Sequence, residues 1–371
     1  MWRAARSEDL QNSDPRNAPM KSTPDPMRRS FWPLTRAVSA VIVTFALGQG
    51  ALVTAQEPDS TPAPAGSNQD GKLPVPPVTA SMRMEADPAF TAPPEEIPAV
   101  EGAELTSFLH SSGAVARKGY LKDGARVGLW ISWHANGRRA TLGAYSNYKR
   151  VGPWVITKPD GTKVEGQYDA EGRRQGLWRT YAPNGSLRLR AFWKDDLRTN
   201  IFERFYPSGL RAAFVTYSGG LRNGQSTKYN MMSGLPLEQG SWSGGREDGP
   251  WRTWHKNGQL SSEGAYERGR KVGPWVEYHD NGRRYRVGSY VNGVQSGEWV
   301  GYFKRGEREF VGTFKGGVLD GPYVGFWPSG DKRGEGSYSK GVFEGPWKFW
   351  GRDGQVDPAQ TGTYRGGDLI R

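Results

Sequence analysis

Aligned on Gly-Pro-Trp-like triplets, the chain repeats every 24 residues, and no other feature constrains its fold as strongly. The first residue of the triplet falls at Gly128, Gly152, Gly176, Asn200, Gly224, Gly249, Gly273, Gly297, Gly321 and Gly345, ten copies with a single 25-residue step. Two residues on stand Trp130, Trp154, Trp178, Phe202, Ser226, Trp251, Trp275, Trp299, Tyr323 and Trp347. Three residues further are Trp133, Thr157, Tyr181, Phe205, Tyr229, Trp254, Tyr278, Tyr302, Phe326 and Trp350. A turn glycine follows in every copy, from Gly137 to Gly354, and each unit closes on a Gly-x-aromatic step such as Gly264-Ala265-Tyr266.

One unit reads as a β-hairpin. In Gly273-Pro274-Trp275-Val276-Glu277-Tyr278-His279-Asp280-Asn281-Gly282, proline presets the first residues of a strand, Trp-Val-Glu-Tyr is β-prone, and Asn-Gly supplies a tight turn. The return strand, Arg284 to Tyr290, leads to a second turn at Asn292-Gly293. A lone hairpin is marginal, so the units must continue as a meander, with equivalent rings about 10 Å apart. The expected class is all-β: an elongated array of antiparallel hairpins. The rings of Trp-x-x-Tyr belong on opposite faces unless a bulge intervenes, and Trp130, Trp154, Trp178, Trp251, Trp275, Trp299 and Trp347 are its repeat-core aromatics. Composition agrees, since 51 glycines, 15 tryptophans and 16 tyrosines suit short strands, tight turns and a core of rings.

Copies four and five depart from the pattern, with Asn200-Ile201-Phe202 and Gly224-Gln225-Ser226 in place of the triplet and Met231-Met232 beside the insertion. A bend or specialised surface over 195–240 and simple drift both fit. Residues 101–118 and 355–371 resemble half-units that would cap the sheet's edges.

The N-terminal third is different. Val38 to Leu47 is an apolar run with Arg28, Arg29 and Arg36 before it and small residues up to Ala55 after it, the pattern of a secretory signal peptide cleaved after Ala55. Residues 1–55 are therefore expected to direct export to the periplasm or the exterior, with an uncleaved anchor as the alternative. The long n-region suggests initiation at Met20 or Met27. Arg28-Arg29-Ser30-Phe31 resembles part of a twin-arginine motif, from which Met27 and Trp32 depart. Residues 56–100 hold ten prolines and seven acidic against two basic residues, which predicts an acidic, extended linker before a repeat domain over 101–371.

The motif G-x-Y-x-x-G-x-x-x-G-P-W-x-x-Y-x-x-N-G, over 119–367, resembles the variant MORN repeat of bacterial proteins often labelled YwqK-type antitoxins. The resemblance implies a hairpin array with a protein-interaction or scaffolding role, and association with membranes or acidic lipids has been proposed for related proteins. An export signal sits poorly with neutralising a cytoplasmic toxin.

The chain has no cysteine, which excludes disulfides and thiolate sites. His134, His255 and His279 share one repeat position, about 10 Å between neighbours, too wide for a shared zinc, and they are expected at the surface with His110. Asp195-Asp196 and Glu247-Asp248 are expected in turns, and an open meander offers no cleft for a carboxylate pair. No catalytic residue, metal or cofactor is expected. Two residues before the triplet, however, Arg126, Arg150, Arg174, Arg198 and Arg222 form a file, followed by Glu247, Lys271, Gln295, Leu319 and Phe343. Stacked, the five make a candidate ridge for acidic lipid, polysaccharide or protein. An unknown protein partner is the first expectation, acidic lipid or glycan the second, and nucleic acid is disfavoured by export.

Overall fold

The computed structural model describes residues 96–370. The segments expected to be a signal peptide, 1–55, and most of a linker, 56–100, lie outside the described residues. Among the described residues there is no helix, and 23 strands run from β1 (Glu104–Leu109) to β23 (Asp368–Ile370). Each strand pairs antiparallel with the next, so the sheet is an open meander from first strand to last. The all-β repeat expectation holds.

Two turn types alternate. Between β15 (Arg270–Tyr278) and β16 (Arg284–Val291), His279 N–H donates to Arg283 O and Gly282 N–H to His279 O, with Gly282 left-handed at φ 82°. Only the glycine of Asn281-Gly282 takes a positive φ, so this turn is the longer hairpin type with one left-handed residue rather than a two-residue turn. The second turn is the two-residue kind. Val291 pairs with Val294, and Asn292 and Gly293 have φ of 52° and 86°, the geometry in which Asn-Gly is favoured. Gly293 N–H then donates across to Lys271 O at 2.9 Å, and the same link recurs from Gly220 to Arg198 O and from Gly269 to Glu247 O. Successive units are thereby clipped together along the turn edge.

The Gly-Pro-Trp triplet is a bulge. Glu263 pairs with Val276 and Ala265 with Val272, so Gly264 alone faces Gly273, Pro274 and Trp275. Proline is tolerated there because the ladder toward the preceding strand is already interrupted. The bulge lays the Trp275 ring back over Gly264, where a Cβ would sit 2.2 Å from the indole, and Trp275 Nε1–H donates to Ala265 O. Gly119, Gly143, Gly166, Gly240, Gly288 and Gly336 make the same notch for the tryptophan of the next unit. The Gly-x-aromatic step therefore has a steric cause: only a residue without a side chain fits beneath the ring.

Because the bulge precedes the tryptophan, Trp275 and Tyr278 do lie on opposite faces. On one face Trp242, Trp251, Tyr266, Trp275, Tyr290, Trp299 and Phe314 form a continuous chain of rings, edge to face, with centroids 5.2–6.1 Å apart. A second chain runs from Trp130 through Tyr145, Trp154 and Tyr168 to Trp178. All seven repeat-core tryptophans are buried.

The irregular middle shows matched sizes. Where Phe202 replaces tryptophan, Ala191 replaces the notch glycine, and it is buried directly opposite Phe202. Where Ser226 stands, its partner is Val215, and Ser226 Oγ accepts a hydrogen bond from Trp242 Nε1 at 2.7 Å. Each loss of ring volume is accompanied by a gain at the notch, which simple drift does not explain.

Candidate interaction faces

The arginine file lies on the ring face, and its guanidinium groups serve the rings. Arg126 stands 5.3 Å over Trp130 and donates to Tyr145 Oη at 3.1 Å. Arg150 lies 4.7 Å over Trp154 and donates to Tyr168 Oη. Burial works against its charge, but the Tyr168 and Tyr145 hydroxyls outweigh that and raise its pKa. Arg174 stacks 3.5 Å over Trp193 and pairs with Asp196 at 2.8 Å, holding that carboxyl below its usual range. Arg198 lies between Trp193, Phe202 and Tyr217, and Arg222 over Trp242. Lys271 repeats the arrangement over Trp275 and Tyr290. In the middle of the array the rings are thus joined through cations, ring to guanidinium to ring.

The histidines are half-buried clamps rather than free surface groups. His110, His134, His255 and His279 each place Nε2 2.7–3.1 Å from a main-chain oxygen in the next unit: Trp133, Thr157, Tyr278 and Tyr302 respectively. A carbonyl only accepts, so Nε2 carries the proton in every case. Tyr206 and Trp327 occupy the same repeat position and make the same bond. Of the acidic pairs, Asp195-Asp196 does form a turn, both residues left-handed, while Glu247-Asp248 belongs to the strand Arg246–Trp254. The turn expectation fails there because the long strand begins before the triplet, not at it.

The opposite face carries a file that no single repeat position reveals. Residues directly opposed across strands share a face. Following that register gives Ile131, Leu142, Val155, Glu165, Arg179, Arg190, Glu203 and Phe214 in consecutive strands. Further on, Arg252 and Glu263 lead into Val276, Val287, Val300, Val311 and Val324. Apolar and charged blocks therefore alternate along one line. Glu203 is only 1% exposed and pairs with both Arg190 and Arg211. Tyr278 donates from its hydroxyl to Glu263, which also pairs with Arg252.

The profile of the family described as MORN repeat variant matches residues 174–195 and 247–268. These are MORN-variant repeats. No curated protein matches the chain. The two matched segments hold the third and sixth triplets, and the same hairpin pairing recurs in the other units. The array presents two chemically distinct faces.

The ring face also sets an alkaline limit. Burial pushes the Tyr338 hydroxyl up to about 12, and Tyr266 and Tyr290 are raised by the same cause. An unfolded tyrosine ionises near 10. The stabilisation is therefore complete below pH 10 and is lost as pH rises toward about 12, because the unfolded chain releases protons that the folded chain retains. Tyrosinate absorbance should rise together with loss of the β-sheet circular dichroism signal in that window. Ionisation of these tyrosines near pH 10 with the fold intact would contradict it.

Proposed function

We propose that the chain is an exported, non-catalytic interaction scaffold of the cell envelope, its partner a protein that lies along the array. The open sheet carries this reading: two continuous faces, patterned differently, run strand after strand without interruption. Export is supported by the Val38–Leu47 run and its flanks. The absence of cysteine supplies a direct test, because single cysteines introduced at Ser208 and Lys304, on exposed turns, become unique crosslinking handles. In the native cell these handles should give discrete adducts with an envelope protein, and the purified chain should begin at Gln56. Crosslinks confined to random neighbours, or a chain retained in the cytoplasm, would overturn it.

The file of Arg126, Arg150, Arg174, Arg198 and Arg222 favours a second reading, a binder of acidic lipid or polysaccharide. Its guanidinium groups share a face with the ring chain, a combination suited to anionic surfaces. Sedimentation with anionic vesicles should fall when Arg150, Arg174 and Arg198 are changed to glutamate. Unaltered sedimentation would remove the ridge from consideration. An antitoxin-like neutralising role requires a partner met after export.

A further inference from the structure

We propose that the face opposite the rings holds a docking site for acidic peptide, built by Arg179 and Arg188. The proposal rests on the protein-scaffold reading and names the chemistry of the partner.

The site occupies the charged block of the central file. Arg179 is directly opposed to Glu165 on one side and to Arg190 on the other. Glu165 bonds instead to Lys163 at 2.6 Å, and Arg190 is taken by Glu203. Arg188, two residues from Arg190 on the same strand, shares its face. Among the described residues neither Arg179 nor Arg188 has a carboxylate partner. Arg179 Nε and Arg188 Nη1 are buried and make no hydrogen bond.

That arrangement is costly as it stands. Like charges directly opposed across strands destabilise a sheet, and a buried guanidinium N–H without an acceptor forfeits its desolvation energy. Carboxylates brought to the remaining N–H groups of Arg179 and Arg188 offset the charge repulsion. Lys163, Arg179, Arg188, Arg190 and Arg211 face only Glu165 and Glu203, so the block retains positive charge after its internal pairs are formed.

The pattern favours peptide carboxylates over a small ion. Arg179 and Arg188 belong to neighbouring strands, Arg174–Tyr181 and Leu187–Lys194, and carboxylates spaced along a chain can meet the two guanidinium groups separately. The arginines of this face already pair with carboxylates, Glu203 with Arg190 and Arg211, and Glu263 with Arg252. Leu142 and Val155 on one side and Phe214 on the other border the block with apolar contacts. A segment with acidic side chains flanked by apolar ones complements it.

The test is titration of the full chain with a fluorescein-labelled hexaglutamate peptide at low salt. R179Q/R188Q should weaken binding by about tenfold or more, as expected for losing charge-assisted bonds. R268Q/R305Q removes the same charge at exposed turns and should leave binding unchanged. R179K/R188K, which keeps charge but loses the planar fork, should fall between and guards against misfolding of the glutamine pair. Equal weakening by both glutamine pairs would overturn the site, as would displacement of the peptide by an equal concentration of inorganic phosphate. So would transfer of the binding to anionic vesicles in preference to the peptide. If hexaglutamate fails to bind while the cysteine handles still capture a partner, the site is wrong and the scaffold reading stands. If the handles capture nothing, the scaffold reading itself has failed.

Discussion

Replacing Gly264 by alanine should destabilise the surrounding hairpins by about 2–3 kcal/mol, an unusually large effect for one methyl group. The added Cβ would lie 2.2 Å from Cδ2 and 2.3 Å from Cε2 of Trp275, in the body of the indole rather than at a flexible tip. Trp275 is 1% exposed and anchored through Nε1 to Ala265 O, so it cannot swing aside without losing that bond and its contacts with Tyr266 and Tyr290. Removing the ring itself, Trp275→Ala, should cost about 3–5 kcal/mol. The informative variant is the pair Gly264→Ala with Trp275→Phe, which copies the natural combination of Ala191 with Phe202. Its cost should fall short of the sum of the two single changes by about 1–2 kcal/mol, since the substitutions relieve each other. Repeat arrays do not unfold strictly as one unit, so the measurement is amide hydrogen exchange over residues 260–291, compared among the four proteins. Additive costs would mean that the notch and the ring are independent.

The coupling of notch and ring explains what the sequence could and could not reveal. The hairpins were legible because a turn is local: Asn-Gly, Gly-Pro and the aromatic alternation lie within one unit. That Trp275 and Tyr278 face opposite ways also followed from their spacing. The notch was visible as the recurring Gly264, Gly288 and Gly336, but its cause was not, since the ring it accommodates belongs to the next unit. For the same reason copies four and five were ambiguous. Phe202 alone reads as decay, and only the register that sets Ala191 against it shows the compensation.

The interaction faces were less legible still. The arginine file stood out because it recurs at one repeat position, yet recurrence marked a structural duty: Arg126, Arg150 and Arg198 bond to tyrosine hydroxyls and lie over rings. His134, His255 and His279 repeat for a comparable reason, to clamp one unit to the next. Arg179 and Arg188 each share their repeat position with just one other arginine, Arg252 and Arg333, and gave no periodic signal. What distinguishes them is the pairing of strands, in which a bulge on one side of each long strand shifts the partner by two residues. Repetition reports on the scaffold, and the residues particular to this chain appear only once the strands are in register.

The same register makes Glu203 the most consequential charge in the array. Its side chain is 1% exposed, held between Arg190 and Arg211, whose side chains remain 30% and 27% exposed. The asymmetry decides what each substitution does. Glu203→Leu releases two arginines that can still turn toward water, and Phe214 opposite offers an apolar neighbour, so its cost should stay within about 1–2 kcal/mol. Changing Arg190 and Arg211 together to methionine instead strands a carboxylate where water does not reach, and should cost about 3–5 kcal/mol. The triple variant, with Glu203→Leu added, should recover most of that loss, because a well-packed apolar trio removes the stranded charge. Amide hydrogen exchange over residues 187–218 would rank the three proteins. A double methionine variant no weaker than Glu203→Leu would show that Glu203 has another route to solvent, and the asymmetry between the carboxylate and its two arginines would then not govern stability here.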